Sequence, residues 1–381
     1  MYGLKVIKTL IRTPIILSIL LIFLFLTVGV YSSSEKQKKD KRVIEFGWDI
    51  PDTEFVKNNI SKMEETPFNG VVIHVKYRGD GSKTENYIEW IGFGGEYLEY
   101  NDEVKIAITN LQKTKFQKFT DNFIRFNVTP GNVDWYDDWG PILNNVEIAA
   151  RIAKECGLKG IFLDVEQYNF PLFKYQSQKY TKTKSFKEYT EQARDRGRQF
   201  IKAINTVYPD ITVILTFGYY LAQYGIPEGK DLSYSSYSLL PAFLDGILEG
   251  ASAQSEIVDG FEFSYGFKDA RQFIEGYKII KEKSLEIVGS GLKPDSTIRD
   301  KYRAMVKAGF GLWLDYDSGK QGWYTDNLSK NYFTPKEFKN ALISAQTISD
   351  KYVWIYSERL NWWTDNNLPK AYIDAVRGAR E

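Results

Sequence analysis

Acidic residues close three β-like runs of this chain, and their spacing groups them. Gly160-Ile-Phe-Leu-Asp164-Val-Glu166 and Gly311-Leu-Trp-Leu-Asp315-Tyr-Asp317 resemble each other, and Tyr352-Val-Trp-Ile-Tyr356-Ser-Glu358 ends on a further acid. A strand alternates its side chains between two faces. Asp164 therefore shares a face with Glu166, Asp315 with Asp317, and Trp354 and Tyr356 with Glu358. Glu262 stands near the end of another such run, GFEFS. Burying even one ionised carboxylate without partners is costly, so several aimed at one mouth point to a use. Paired carboxylates can cleave a glycosidic bond: one protonates the leaving oxygen, and the other attacks or stabilises the anomeric carbon or activates water. The expected catalytic set is Glu166, Glu358, Asp164, Asp315 and Asp317, with Glu166 as the general acid and Glu358 as first choice for the second carboxylate.

The rest of the composition narrows the chemistry to such groups. The 381 residues include one His and one Cys. That excludes an intrachain disulfide, a CxxC pair, a thiolate zinc site and an HExxH motif. A Ser-His-Asp triad could use only His74. Lys+Arg 50 against Asp+Glu 49 leaves a net charge of +1, without the basic excess of a dedicated nucleic-acid binder. Asp315-x-Asp317-x-Gly319 imitates part of a calcium loop, but Lys320 stands where Gly is required. No metal and no cofactor are expected. Aromatic residues reach 15%, and rings stack well on the apolar faces of sugars. Trp135 follows the third run, Trp323 the seventh, and Trp362 and Trp363 the eighth. With the strand-end residues Trp48, Asp49, His74, Asn127, Glu262 and the nearby Tyr265, they form the expected substrate-binding set. His74 also reads as a buried, hydrogen-bonded histidine.

These residues need a scaffold that brings strand ends together. Eight short runs rich in β-branched and aromatic residues recur at 43–49, 70–75, 123–128, 160–166, 212–217, 260–264, 311–317 and 352–358. Helical patterns follow most of them, at 53–65, 143–155, 183–207, 268–283, 335–348 and 369–379. Asp52-Thr53 suits a helix start, as does Thr334-Pro335 with Glu337 at the third helical position. Eight strand–helix alternations with nearly continuous apolar strands predict an α/β fold, a single (β/α)8 barrel over 43–381. Functional side chains then sit at the C-terminal ends of the strands, and the long connections 76–122, 167–210 and 218–259 are expected to shape a cleft there. An open doubly wound sheet would call for a glycine-rich loop after the first strand, where Ile50-Pro51-Asp52-Thr53 stands instead.

Ahead of the barrel, Lys5, Lys8 and Arg12 precede an apolar run at 14–31. This pattern reads as a signal peptide or signal anchor within 1–34, followed by a basic linker at 35–42. It predicts export to the periplasm or the cell exterior, with a membrane anchor at 14–31 if the segment stays uncleaved.

GIFLDVEQY resembles the strand-four D-x-E signature of chitinases and endo-β-N-acetylglucosaminidases, which implies a proton donor at Glu166 assisted by Asp164. That family's earlier Asp falls at Phe162 here. Its Tyr-Asp pair on strand six is missing from GFEFSYGF, although Tyr265 is close. Retaining β-glycosidases with an acid/base on strand four and a nucleophile on strand seven are also similar, but Val165 precedes Glu166 where they carry Asn. FGWDIPDTEF, PFNGVVIHV, DVEQY and YVWIYSERLNWW together are similar to secreted glycoside-hydrolase-like barrels of bacterial genomes, over nearly the whole domain. The expectation is a glycoside hydrolase acting on an oligo- or polysaccharide, with a carbohydrate-binding barrel of an envelope or polysaccharide-processing complex as the alternative.

Overall fold

The barrel closes through a glycine. The computed structural model describes residues 41–78, 86–289, 296–317 and 322–381. The apolar run 14–31, most of the basic linker and residues 319 and 320 of the calcium-like loop lie outside them. In chain order the strands are β1 (Arg42–Glu45), β2 (Gly70–Ile73), the short β3 (Lys76–Tyr77) and β4 (Asn86–Tyr87), β5 (Phe123–Asn127), β6 (Gly160–Asp164), β7 (Thr212–Leu215), β8 (Glu256–Asp259), β9 (Val306–Ala308), β10 (Phe310–Trp313) and β11 (Tyr352–Tyr356). The main sheet runs β10-β11-β1-β2-β5-β6-β7-β8-β9, and every pair in it is parallel. Its two ends, β9 and β10, are one stretch of chain interrupted at Gly309. The Gly309 N–H bonds Asp259 O at 2.8 Å, and a Cβ there would stand 3.0 Å from Val258 and 3.1 Å from Tyr352 O. Among the described residues only β3 and β4 pair antiparallel, beyond β2. Arg42, counted with the linker on sequence grounds, opens β1 and pairs in register with Tyr352.

The helices are α1 (Thr53–Met63), α2 (Asp102–Lys113), α3 (Gly140–Glu155), α4 (Phe186–Val207), α5 (Leu240–Gly250), α6 (Ala270–Lys281), α7 (Ser296–Met305), α8 (Pro335–Ile348) and α9 (Lys370–Arg380). Asp52 caps α1 by accepting from Phe55 N–H, and Thr334 with Glu337 forms a reciprocal capping box on α8. Helices α2, α5 and α7 escaped the sequence reading. The first two lie within connections taken as loops. In α5 every residue from Leu240 to Leu248 is buried, so no polar stripe marks its period.

Two cores result. One lies between the sheet and the helices. The other fills the barrel interior with Ile44, Phe46, Val72, Phe123, Phe162, Ile214, Val258, Tyr352 and Trp354. Trp354 reaches across this interior to donate to Gly260 O at 2.9 Å. It also takes the space that a side chain at Gly311 would need, since a Cβ there would come within 2.6 Å of its ring.

The sixth strand is Glu256–Asp259, four residues before the run GFEFS expected in its place. That run is instead a turn and a short 3-10 segment, Glu262–Ser264, preceded by Phe261 at φ 43°. A left-handed phenylalanine is strained. The Asp259 carboxylate holds it by accepting from Phe261 N–H at 3.0 Å, which sets where Glu262 points. Burial pushes the Asp259 carboxyl up to about 7, whereas in an unfolded chain it titrates near 4. Between those values the folded protein keeps a proton that the unfolded chain has released, so this group's contribution to stability falls as pH rises. Asp259→Asn removes that titration. Melting temperatures from pH ~4 to ~7 should fall less steeply in the variant than in the wild type. Parallel curves would show that Asp259 is ionised in the folded protein.

Candidate active site

Counting two residues up from the interior core gives the floor of a cavity. Ile44, Val72, Phe123, Phe162, Ile214 and Trp354 point into the barrel. By the strand period, Phe46, His74, Arg125, Asp164, Thr216 and Tyr356 occupy the next inward layer, and all six line a cavity of about 630 Å³ at the C-terminal end of the strands. Two residues further on come Trp48, Glu166 and Glu358, which line its walls with Tyr87, Trp90, Tyr168, Glu262, Tyr265 and Trp313.

Asp164 is the centre of the floor. It is 1% exposed, and four donors converge on it. Oδ1 accepts from Glu166 N–H at 3.0 Å and from the Thr216 hydroxyl at 3.3 Å. Oδ2 accepts from the Tyr168 hydroxyl at 2.9 Å and lies 3.5 Å from Arg125 Nη2. Arg125 is itself braced. Its Nε donates to Asn127 Oδ1 at 3.1 Å, and its guanidinium lies over Phe46 and Trp90 at 5.2 and 5.4 Å.

The Tyr168 oxygen also lies 2.6 Å from Glu166 Oε2. A phenol has one proton and cannot donate to two carboxylates at once. Both contacts are attractive when a carboxyl supplies the second proton. Burial, reinforced by the charge of Asp164, raises the Glu166 carboxyl above its usual range, against the lowering effect of Tyr168 and Arg125. A proton kept on Glu166 lets its carboxyl donate to the Tyr168 oxygen while the Tyr168 hydroxyl donates to Asp164. Glu262 is held higher still, by burial first and then by Glu166 and Asp164. Tyr265 stacks on Tyr356 with ring centroids 5.2 Å apart. Glu358 accepts from the Tyr356 hydroxyl at 3.0 Å, and burial raises its carboxyl too.

Of the residues expected from the sequence, Glu166, Glu358, Asp164, Trp48, His74, Glu262 and Tyr265 meet in this cavity. The others stand elsewhere. Asp315 is 1% exposed and works as a loop cap, accepting from Glu358 N–H, Arg359 N–H and the Trp313 indole. Asp317 pairs with Arg359. Asp49 accepts from Trp362 N–H, and its carbonyl from the Trp363 indole. Trp362 and Trp363 are buried against Phe68, so neither ring can stack on a sugar. Trp135 is buried among Trp139, Phe173 and Phe243, and Trp323 packs on Tyr372. Asn127 is buried beneath Arg125. For the tryptophans the cause is that a ring behind a strand end packs between barrel and loop as readily as it lines a cleft; for the acids it is that a strand-end carboxylate also caps the backbone amides of a neighbouring loop.

Arg125, Tyr168, Thr216 and Glu89 were missed. The same period-two count from the interior residues would have found Arg125 and Thr216. Tyr168 and Glu89 lie in connections where no such period runs.

No protein-family model matches the chain, and a search of curated proteins found no match. Similar solved structures include a GH18 chitinase from Pseudoalteromonas aurantia, at 11% identity over 89% of this chain and 100% of that one, with a TM-score of 0.43. A β-mannanase from the blue mussel Mytilus edulis shares 12% identity over 88% of this chain and 91% of its own, with a TM-score of 0.40. A GH5-4 broad specificity endoglucanase from Bacteroides salanitronis shares 10% identity over 85% of each chain, with a TM-score of 0.44. Likenesses this distant say nothing of what this chain acts on.

Proposed function

We propose that the cavity is the active site of a glycoside hydrolase acting on an oligo- or polysaccharide. The observation that carries this reading is the proton-sharing contact of Asp164, Tyr168 and Glu166 at the floor of an aromatic-walled cavity. Glu166 is the general acid: burial and the charge of Asp164 raise its carboxyl, it faces the cavity, and Asp164 below it has four hydrogen-bond donors. Glu358 is the second carboxylate, because it is more accessible than Glu262 and Asp315 is occupied with backbone amides. Glu262, whose carboxyl is held well above its usual range by desolvation and by Glu166 and Asp164, acts as a hydrogen-bond donor. Tyr168 also favours a second reading, a barrel that binds carbohydrate without turnover, since its phenol occupies the carboxyl that must protonate a leaving group.

Hydrolysis of a glycan panel separates the two. Glu166→Gln should lose most activity on unactivated glycosides, by roughly a factor of 100 or more, and less on substrates whose leaving group needs no proton. Once Glu166 has lost its proton, the Tyr168 hydroxyl is the donor that stabilises the carboxylate and so lowers it, and Tyr168→Phe should move the alkaline limb of the pH–rate profile upward. Near-normal turnover by Glu166→Gln would falsify the assignment, and binding without turnover by the wild type favours the second reading.

Trp48 is 72% exposed on the cavity rim, which suits a platform for a sugar ring. Trp48→Ala should weaken glycan binding by about 1 kcal/mol and leave the melting temperature nearly unchanged. Unchanged affinity would take Trp48 out of the site.

We further propose that the segment at 14–31 exports the chain. Cell fractionation should find the protein outside the cytosol or in the membrane. Full-length soluble protein in the cytosol would rule this out.

A further inference from the structure

Glu89 lies outside the strands of the main sheet. It sits in the single 3-10 turn Ile88–Trp90 beyond β4. Ile88 N–H on Val75 O at 3.0 Å and the Thr129 hydroxyl on Glu89 O at 2.6 Å hold the turn in place. The Glu89 side chain is 0% exposed. Its Oε1 lies against His74 Nδ1, and among the described residues neither of its oxygens has another polar partner. A fully buried carboxylate with one polar neighbour needs that neighbour to present a proton. His74 can do so only with Nδ1–H.

His74 is well placed to make use of this. It ends the run after β2, in the same inward layer as Asp164 and Arg125, and lines the cavity. Its ring stacks on Tyr87 with centroids 4.3 Å apart and planes 24° from parallel, so the ring face is fixed. With Nδ1 buried, Nε2 is the ring nitrogen left to the cavity. We infer that Glu89 is a positioning residue: it fixes the orientation and tautomer of His74, so that Nε2 faces the cavity with a free lone pair and accepts a hydrogen bond from a substrate hydroxyl. This rests on the reading of the cavity as a carbohydrate site. A buried acceptor that must be matched by a hydroxyl discriminates strongly against analogues lacking it, so the pair would contribute to specificity as well as to binding.

The chain has one histidine, so the imidazole nitrogens can be observed in the whole protein without overlap. Nitrogen-15 NMR of the wild type, at a pH where the ring is neutral, should show a protonated Nδ1 and an unprotonated Nε2. The second arm is a double-mutant cycle on a glycan that the wild type hydrolyses or, failing hydrolysis, binds. Glu89→Gln and His74→Phe, which keeps the ring stack, should each lower kcat/KM or affinity about tenfold. The double variant should lose no more than His74→Phe alone, because Glu89 acts through the imidazole. Circular dichroism and melting temperature check that each variant folds. An Nε2–H tautomer in the wild type, or additive losses in the cycle, overturns the inference. The expected tautomer in a protein that hydrolyses no glycan supports the pairing and counts against the hydrolase reading, so the two failures are told apart.

Discussion

A closed parallel barrel has room for one inward side chain per two residues on each strand, and the whole site depends on how that series changes from apolar to polar. At the level of Ile44, Val72, Phe123, Phe162 and Ile214 the interior is hydrocarbon. One step up, the same strands supply His74, Arg125, Asp164 and Thr216. The apolar layer closes the barrel beneath the site. Polar groups placed directly on it cannot be solvated from below, so they must satisfy one another. Asp164 does so with four donors, and Arg125 does so through Asn127, Asp164 and two aromatic faces.

That dependence explains why part of the fold was legible and part was not. Barrel class and the α8 capping box follow from local patterns of apolar residues and turn chemistry, and these survive in the structure; among the described residues the expected eight strands become nine because the seventh is split at Gly309. Strand six was misplaced because Glu256–Asp259 and Gly260–Ser264 are both apolar and β-like. What separates them is a left-handed Phe261, a conformation that no propensity predicts. Helix α5 was missed because burial on all sides removes the amphipathic signal.

The site shows the same division. Period two correctly grouped Asp164 with Glu166, since both follow from one strand's geometry. It also grouped Asp315 with Asp317, whose carboxylates serve a neighbouring loop and Arg359. A strand-end acid that caps backbone amides and one that faces a cavity have the same sequence signature; the difference lies in what the next loop brings to them. The tryptophans illustrate this further. Trp362 and Trp363 follow strand eight closely, yet Phe68, from the connection after α1, covers them. The exposed ring is Trp48, which sequence alone placed on a strand.

Electrostatics then assign different tasks to chemically similar groups. Asp164, Glu166 and Glu262 lie close enough to influence one another, with Arg125 as the cation on the cavity floor. Three negative charges around one guanidinium in a partly buried space would repel, so protons must remain on some of the acids. Burial and donors decide where. Asp164, least exposed but richest in donors, is suited to the negative charge. Glu262 has burial and two acidic neighbours, which favour its neutral form. Glu166 lies between them, facing the cavity with a phenol as its main stabilising partner. In the hydrolase we propose, it is the acid of the three whose proton would leave toward a substrate and return, because both of its charge states find partial support in the surrounding groups.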